Sequence, residues 1–143
     1  MSYDIYFYRP RAGVRLSEVV EAEFEDRASL VSPLSRDEVV TVAQAVAAAL
    51  DGYEVFEDDD CLIVAPGDED AAEQLEVMLM PDECSIGFTY GQDAKSVFGV
   101  ARRAADVLLG FGLHAHDPQL DGDFDVARAI KTYITTSRDT LGR

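Results

Sequence analysis

The sequence predicts an α+β protein: a mainly antiparallel five- or six-stranded sheet with helices packed on one face. Three observations predict it. Cys84, Ile86, Phe88 and Tyr90 alternate with Ser85, Gly87 and Thr89, the period of a half-buried strand. Ser35-Arg36-Asp37-Glu38 forms a capping box in front of an apolar pattern with helical spacing. Asp58-Asp59-Asp60, Pro66-Gly67-Asp68 and Pro81-Asp82-Glu83 carry turn chemistry between successive apolar runs, and such short connectors favour antiparallel neighbours.

Each element follows in chain order. Residues 3–8 are aromatic and β-branched and read as a strand, stopped by Pro10 and Gly13. Residues 16–28 are ambiguous: Val19, Val20 and Phe24 make at most one face of a short helix, closed off by Pro33. Val39, Val42, Ala43, Val46, Ala47 and Leu50 give a helix over 36–51 with Gly52 as its stop. Strands follow at 53–57, 61–65, 75–80 and 84–90. The second of these is continuously apolar, as in a strand covered on both faces.

Asp93 caps a second helix over 94–110, ended by Gly110 and Gly112. Residues 113–116 form a last short strand before Pro118. Asp123 is expected to cap a third helix over 124–138, with Phe124, Ala127, Ile130 and Ile134 inward. Residues 141–143 are expected to fray.

The 143 residues fit a single α+β domain, residues 1–143. At this length roughly 68% of the unfolded chain's surface is buried on folding, enough without disulfide staples. An apolar fraction of 48% argues for a packed core and against disorder. Cys61 and Cys84 are too few for a disulfide framework and read as free thiols, although a pair facing across neighbouring strands stays open. The start, residues 1–10, lacks the pattern of a signal peptide, and the longest uncharged apolar run is too short to span a bilayer. Those features lead to a cytoplasmic expectation.

Charge is the unusual feature. With 12 basic and 28 acidic residues the net charge is −16, against binding to nucleic acid or an anionic membrane. Residues 37–94 hold 16 acids and no lysine or arginine, while the flanking segments come to −1 and +1. The whole net charge thus belongs to the middle of the chain. Its acids cluster in turns, and neighbouring turns are expected to bring several carboxylates onto one face. Such a face repels itself and attracts a cationic partner. Alternatively, it is only a solvated surface that keeps strand edges from aggregating.

Other chemistry is thinly represented. The run Glu57-Asp58-Asp59-Asp60 lacks the glycine and asparagine of a calcium loop and reads as a polar turn. Asp121-Gly122-Asp123-Phe124-Asp125 starts like an EF-hand loop, but Val126 and Thr132 stand where glycine and glutamate are required. His114 and His116 share one face of a strand beside Asp117, a partial zinc set without a further ligand. No nucleophile sits in a catalytic context, so no enzyme activity and no cofactor are expected. Tyr6 and Tyr8 share the strand face opposite Tyr3, Ile5 and Phe7, giving a tyrosine-lined surface suited to anchoring a partner.

The opening Met1-Ser2-Tyr3-Asp4-Ile5-Tyr6-Phe7-Tyr8 and the later Gly112-Leu113-His114-Ala115-His116-Asp117-Pro118-Gln119 resemble the starts and ends of small bacterial cytosolic proteins. The small, acidic, motif-poor α+β type is similar to bacterial immunity proteins that neutralise secreted toxins. That resemblance of class implies a toxin inhibitor and carries over no functional residue.

The leading expectation is therefore an immunity or antitoxin-type binding protein meeting a basic protein partner, a cognate toxin. Its expected contact set is Glu57, Asp58, Asp59, Asp60, Asp68, Glu69 and Asp70, with Tyr6 and Tyr8 as anchors. The alternatives are a small metal-dependent enzyme using His114, His116 and Asp117, or an acidic regulatory interaction module.

Overall fold

The computed structural model describes residues 2–140; residues 141–143, where fraying is expected, lie outside them. Six strands form one antiparallel sheet in the order β2-β3-β4-β5-β1-β6. They are β1 (Ser2–Tyr8), β2 (Tyr53–Asp58), β3 (Cys61–Pro66), β4 (Leu75–Leu79), β5 (Cys84–Thr89) and β6 (His114–His116). The α+β class and antiparallel sheet expected from the sequence are observed. The meander β2 to β5 arises from its short connectors; β1 then adds beside β5, and β6 beside β1.

Alternation decides the two faces. Tyr3, Ile5 and Phe7 pair across the sheet with Phe88, Ile86 and Cys84, and these in turn with Leu75, Val77 and Leu79, all buried. On this face pack α3 (Arg36–Ala49), α4 (Ala94–Gly110) and α5 (Val126–Thr140). Helix α3 begins at the anticipated capping box, Ser35 Oγ accepting from the Glu38 N–H and Glu38 from the Ser35 N–H. Tyr3, Phe88, Phe98 and Tyr133 interlock as an aromatic cluster, Tyr3 stacking on Phe88 at 5.5 Å and meeting Phe98 edge-on at 5.4 Å.

The other face is covered only at the β1 side. Residues 9–34 fold back beneath it, through α1 (Leu16–Glu21), α2 (Phe24–Arg27) and a one-turn 3₁₀ helix (Ala28–Leu30). Val19 and Val31 bury Tyr8 in a second, smaller cluster. Arg27 rivets this segment: it donates to the carbonyls of Val19, Val20 and Ala22, and its guanidinium lies 5.5 Å from the centre of the Tyr8 ring. The helices are thus not confined to one face.

Three expectations are corrected, and one alternative left open, a pairing of the two cysteines, is closed. The third helix starts at Val126, and Asp125 rather than Asp123 accepts the Arg128 N–H at its start. Its inward residues are Ala129 and Tyr133, with Ile130 half-buried, while Ala127 and Ile134 are exposed. Strand β3 is not covered twice: Val64 is buried in the core, whereas Ile63 and Ala65 on the open face remain half-exposed. Cys61 lies on the open face and Cys84 in the core, so the sheet itself stands between two free thiols.

Candidate functional site

The acidic segment folds into the edge of the sheet. Residues 51–70 contain nine acids and no basic residue, and they form the β2–β3 hairpin with the connections at its two ends. Asp51, Glu54, Glu57, Asp58, Asp59, Asp60, Asp68, Glu69 and Asp70 are all exposed. None of these nine enters an ion pair among the described residues. The paired acids lie elsewhere: Glu38 meets Arg9 at 2.8 Å, Glu18 meets Arg15 at 3.0 Å and Glu83 meets Arg27 at 3.7 Å.

Antiparallel geometry divides the sequence-predicted contact set. Successive turns of a meander fall at alternate ends. Glu57 to Asp60 therefore sit at one end of β3, on the same side as the β4–β5 turn with Asp82, while Asp68, Glu69 and Asp70 sit at the other end. Six residues of β3 separate the two groups, about 20 Å of extended chain. The expectation that neighbouring turns share one face is corrected in this sense: the acids line a hairpin from end to end.

Tyr6 and Tyr8 are three strands further across, on β1. Tyr8 is 3% exposed, donates to Glu83 at 2.7 Å and is enclosed by Val19 and Val31. Its expected role as a surface anchor is a second correction, since the folded-back segment takes the contact a partner would need. Burial, then the Glu83 hydrogen bond, pushes the Tyr8 hydroxyl pKa up. Tyr6 remains half-exposed.

Sequence reasoning missed the ground between the two acidic ends. Phe56, Ile63, Met78, Ser85 and Tyr6 are register partners across five strands and form one transverse row on the open face. Phe56 is 45% exposed and Val55 38%, so the hairpin also presents apolar surface. The next row carries Glu54, Glu76 and Asp4. The Glu54 carboxylate occupies the space a side chain on Gly67 would need, and Asp4 leans over Gly87 in the same way. A shallow hollow of about 440 Å³ lies over Ala65, Glu76, Met78, Ser85, Gly87 and Asp4. The available signal was the alternation Glu54, Phe56, Asp58 in a strand that has no helix over that side.

The acids also control the thiol beside them. Burial, followed by the charges of Asp58, Asp59 and Asp60, raises the Cys61 pKa. Cys84 is pushed up to about 12 by burial. Both effects disfavour the thiolate a nucleophile needs.

The histidine site does not assemble as the metal-enzyme alternative requires. His114 and His116 project from one face of β6, while Asp117 is fully buried. Its carboxylate accepts from the Tyr3 hydroxyl at 2.5 Å and from Gln119 Nε2 and N at 2.7 and 3.0 Å. Gln119 also brackets Asp4, accepting its N–H and donating to its carbonyl. Asp117 is thus committed to joining the β6–α5 connection to β1. Among the described residues no group of three metal-binding side chains comes together. No helix among them is long and apolar enough to cross a membrane.

Comparison with family models, with curated proteins and with solved structures returned no match.

Proposed function

We propose that this chain is a cytoplasmic binding protein of the immunity or antitoxin type, which neutralises a basic protein toxin by docking its acidic β2–β3 hairpin against the toxin's cationic surface. One observation carries the reading: nine exposed carboxylates along an edge hairpin and its connections, without a cationic partner among the described residues. A fold pays a self-repulsion penalty for such a hairpin, and a cationic partner relieves it. Exposed Phe56, between Glu54 and Asp58 on the open face, adds an apolar centre of the kind that, ringed by charge, gives an interface affinity as well as fast encounter. The free thiols of Cys61 and Cys84 suit a reducing compartment.

The test is capture of the partner from the source cell at low and at high salt, followed by binding kinetics with the purified partner. The expected partner has a basic surface, is toxic when expressed alone and is harmless when co-expressed with this chain. Replacing Asp58, Asp59 and Asp60 by asparagine is expected to slow association about tenfold at low salt and flatten its salt dependence. Unchanged association kinetics in that variant overturn the reading. A captured partner that is non-toxic points instead to a regulatory module.

A further inference from the structure

The edge of the sheet has a polarity that the charge pattern alone does not reveal. β2 is the outermost strand on its side, and five of its six residues are exposed. The Gly67 N–H donates to the Gly52 carbonyl at 3.0 Å, so Gly52 and Gly67 bond across the hairpin. Hydrogen bonding alternates along an antiparallel pair. Glu54, Phe56 and Asp58 therefore turn their backbone groups towards Ala65, Ile63 and Cys61, their register partners on β3. Tyr53, Val55 and Glu57 turn their N–H and C=O groups outward, to an edge with no strand beside it among the described residues. The outward groups form a template of the kind that pairs with an additional strand.

Side chains decide which strand fits. A second copy paired antiparallel about Phe56 would bring Glu54 opposite Asp58 at both ends of the ladder, and like charges directly across a ladder destabilise it. A strand with lysine or arginine opposite Glu54 and Asp58 and an apolar residue opposite Phe56 meets opposite charge at both ends and the exposed ring in the middle. Resting on the acidic-docking reading above, we propose that β2 receives an extended basic segment of the partner protein by strand addition, extending the sheet to a seventh strand. Backbone pairing to Tyr53, Val55 and Glu57 supplies the geometry, and the carboxylates select a cationic segment and refuse a second copy.

The test uses the full chain and a capped heptapeptide with lysines at its second and sixth positions, valine at its centre and threonine elsewhere. Amide hydrogen exchange is read by NMR at low ionic strength. The expected result is slowing of the Tyr53, Val55 and Glu57 amides by about tenfold or more on saturation. The same peptide N-methylated at alternate amides, and one with glutamate for lysine, are expected not to slow them. The variant Glu54→Gln, Glu57→Gln, Asp58→Asn is expected to weaken the lysine peptide at least about tenfold and to self-associate, while the unaltered chain stays monomeric.

A peptide that does not bind, or binds equally well when N-methylated, overturns strand addition. So does binding that leaves the three amides unprotected; salt-sensitive binding of that kind leaves acidic docking intact. A dimer of the unaltered chain joined through β2 overturns the selection against a second copy. Partner capture judges the wider reading independently, so the two fail separately.

Discussion

Tyr3 and Asp117, 114 positions apart in sequence, meet through a 2.5 Å hydrogen bond in which the phenol donates to the only fully buried carboxylate among the described residues. Burial, then this bond, raises the Tyr3 pKa, so the hydroxyl keeps its proton and remains a donor. Gln119 supplies the other two hydrogen bonds that the carboxylate accepts. Removing one donor leaves a buried charge short of a partner, which costs about 1–3 kcal/mol. Tyr3→Phe is therefore expected to lower the stability by that amount in urea unfolding with an unchanged slope. A loss below about 0.5 kcal/mol contradicts a structural role for the pair.

A second prediction concerns acid. Arg9 grips Glu38 with two nitrogens, at 2.8 and 3.3 Å, and the Ser35 N–H adds a third bond. The guanidinium first, then the Ser35 backbone, hold the Glu38 carboxyl at about 2, against an ordinary 4.5. The folded pKa lies below the unfolded one, so the folded state gains stability from ionised Glu38 above the ordinary value. That gain disappears as pH falls from there towards about 2. Thermal midpoints measured between about pH 5 and about pH 2 are expected to fall less steeply for Glu38→Gln than for the unaltered chain. Equal slopes would remove Glu38 from the acid response.

The helix at Ser35 and the alternating strand at Cys84 were legible because each is a local pattern whose period matches the structure it makes. The placement of acids was legible only in part. Sequence order locates carboxylates in turns, but which end of the sheet a turn occupies depends on how many strands lie between. Asp58 and Asp68 are ten residues apart and fall at opposite ends because one strand, β3, intervenes. Tyr8 looked exposed because β1 alternates cleanly. Its cover comes from Val19 and Val31, in a segment with too weak a period to be placed. The open row of Phe56, Ile63 and Met78 depends on register across three strands, which no local pattern carries.

The β2–β3 turn contains a removable cost. Asp59 holds φ at 47° in the first central position of a two-residue turn, while Asp60 does not share the left-handed region. A positive φ at that position favours glycine, which has no side chain to strain there. Asp59→Gly is expected to raise stability by about 1 kcal/mol, and Asp60→Gly to give no gain. Comparing the two separates backbone relief from loss of one negative charge, since both remove a carboxylate from the same turn. Equal gains would assign the effect to charge.

Cys61 reports the field of the hairpin without any partner. It sits at the start of β3, half-exposed, next to three aspartates whose charge disfavours its thiolate after burial has done so. The thiolate is the reactive form, so its population sets the rate of alkylation by a neutral reagent such as iodoacetamide. Replacing Asp58, Asp59 and Asp60 by asparagine is expected to speed Cys61 alkylation near pH 8. Salt is expected to speed it in the unaltered chain, because screening shortens the reach of exposed charges to about 10 Å at 0.1 M. Salt should have little further effect in the variant. Cys84, fully buried and raised to about 12, is expected to stay unmodified in both proteins and serves as the folded-state control. If Cys61 reacts at the same rate in both proteins and at every salt concentration, the three aspartates exert no appreciable field at the hairpin, and the acidic attraction on which partner docking depends loses its physical basis.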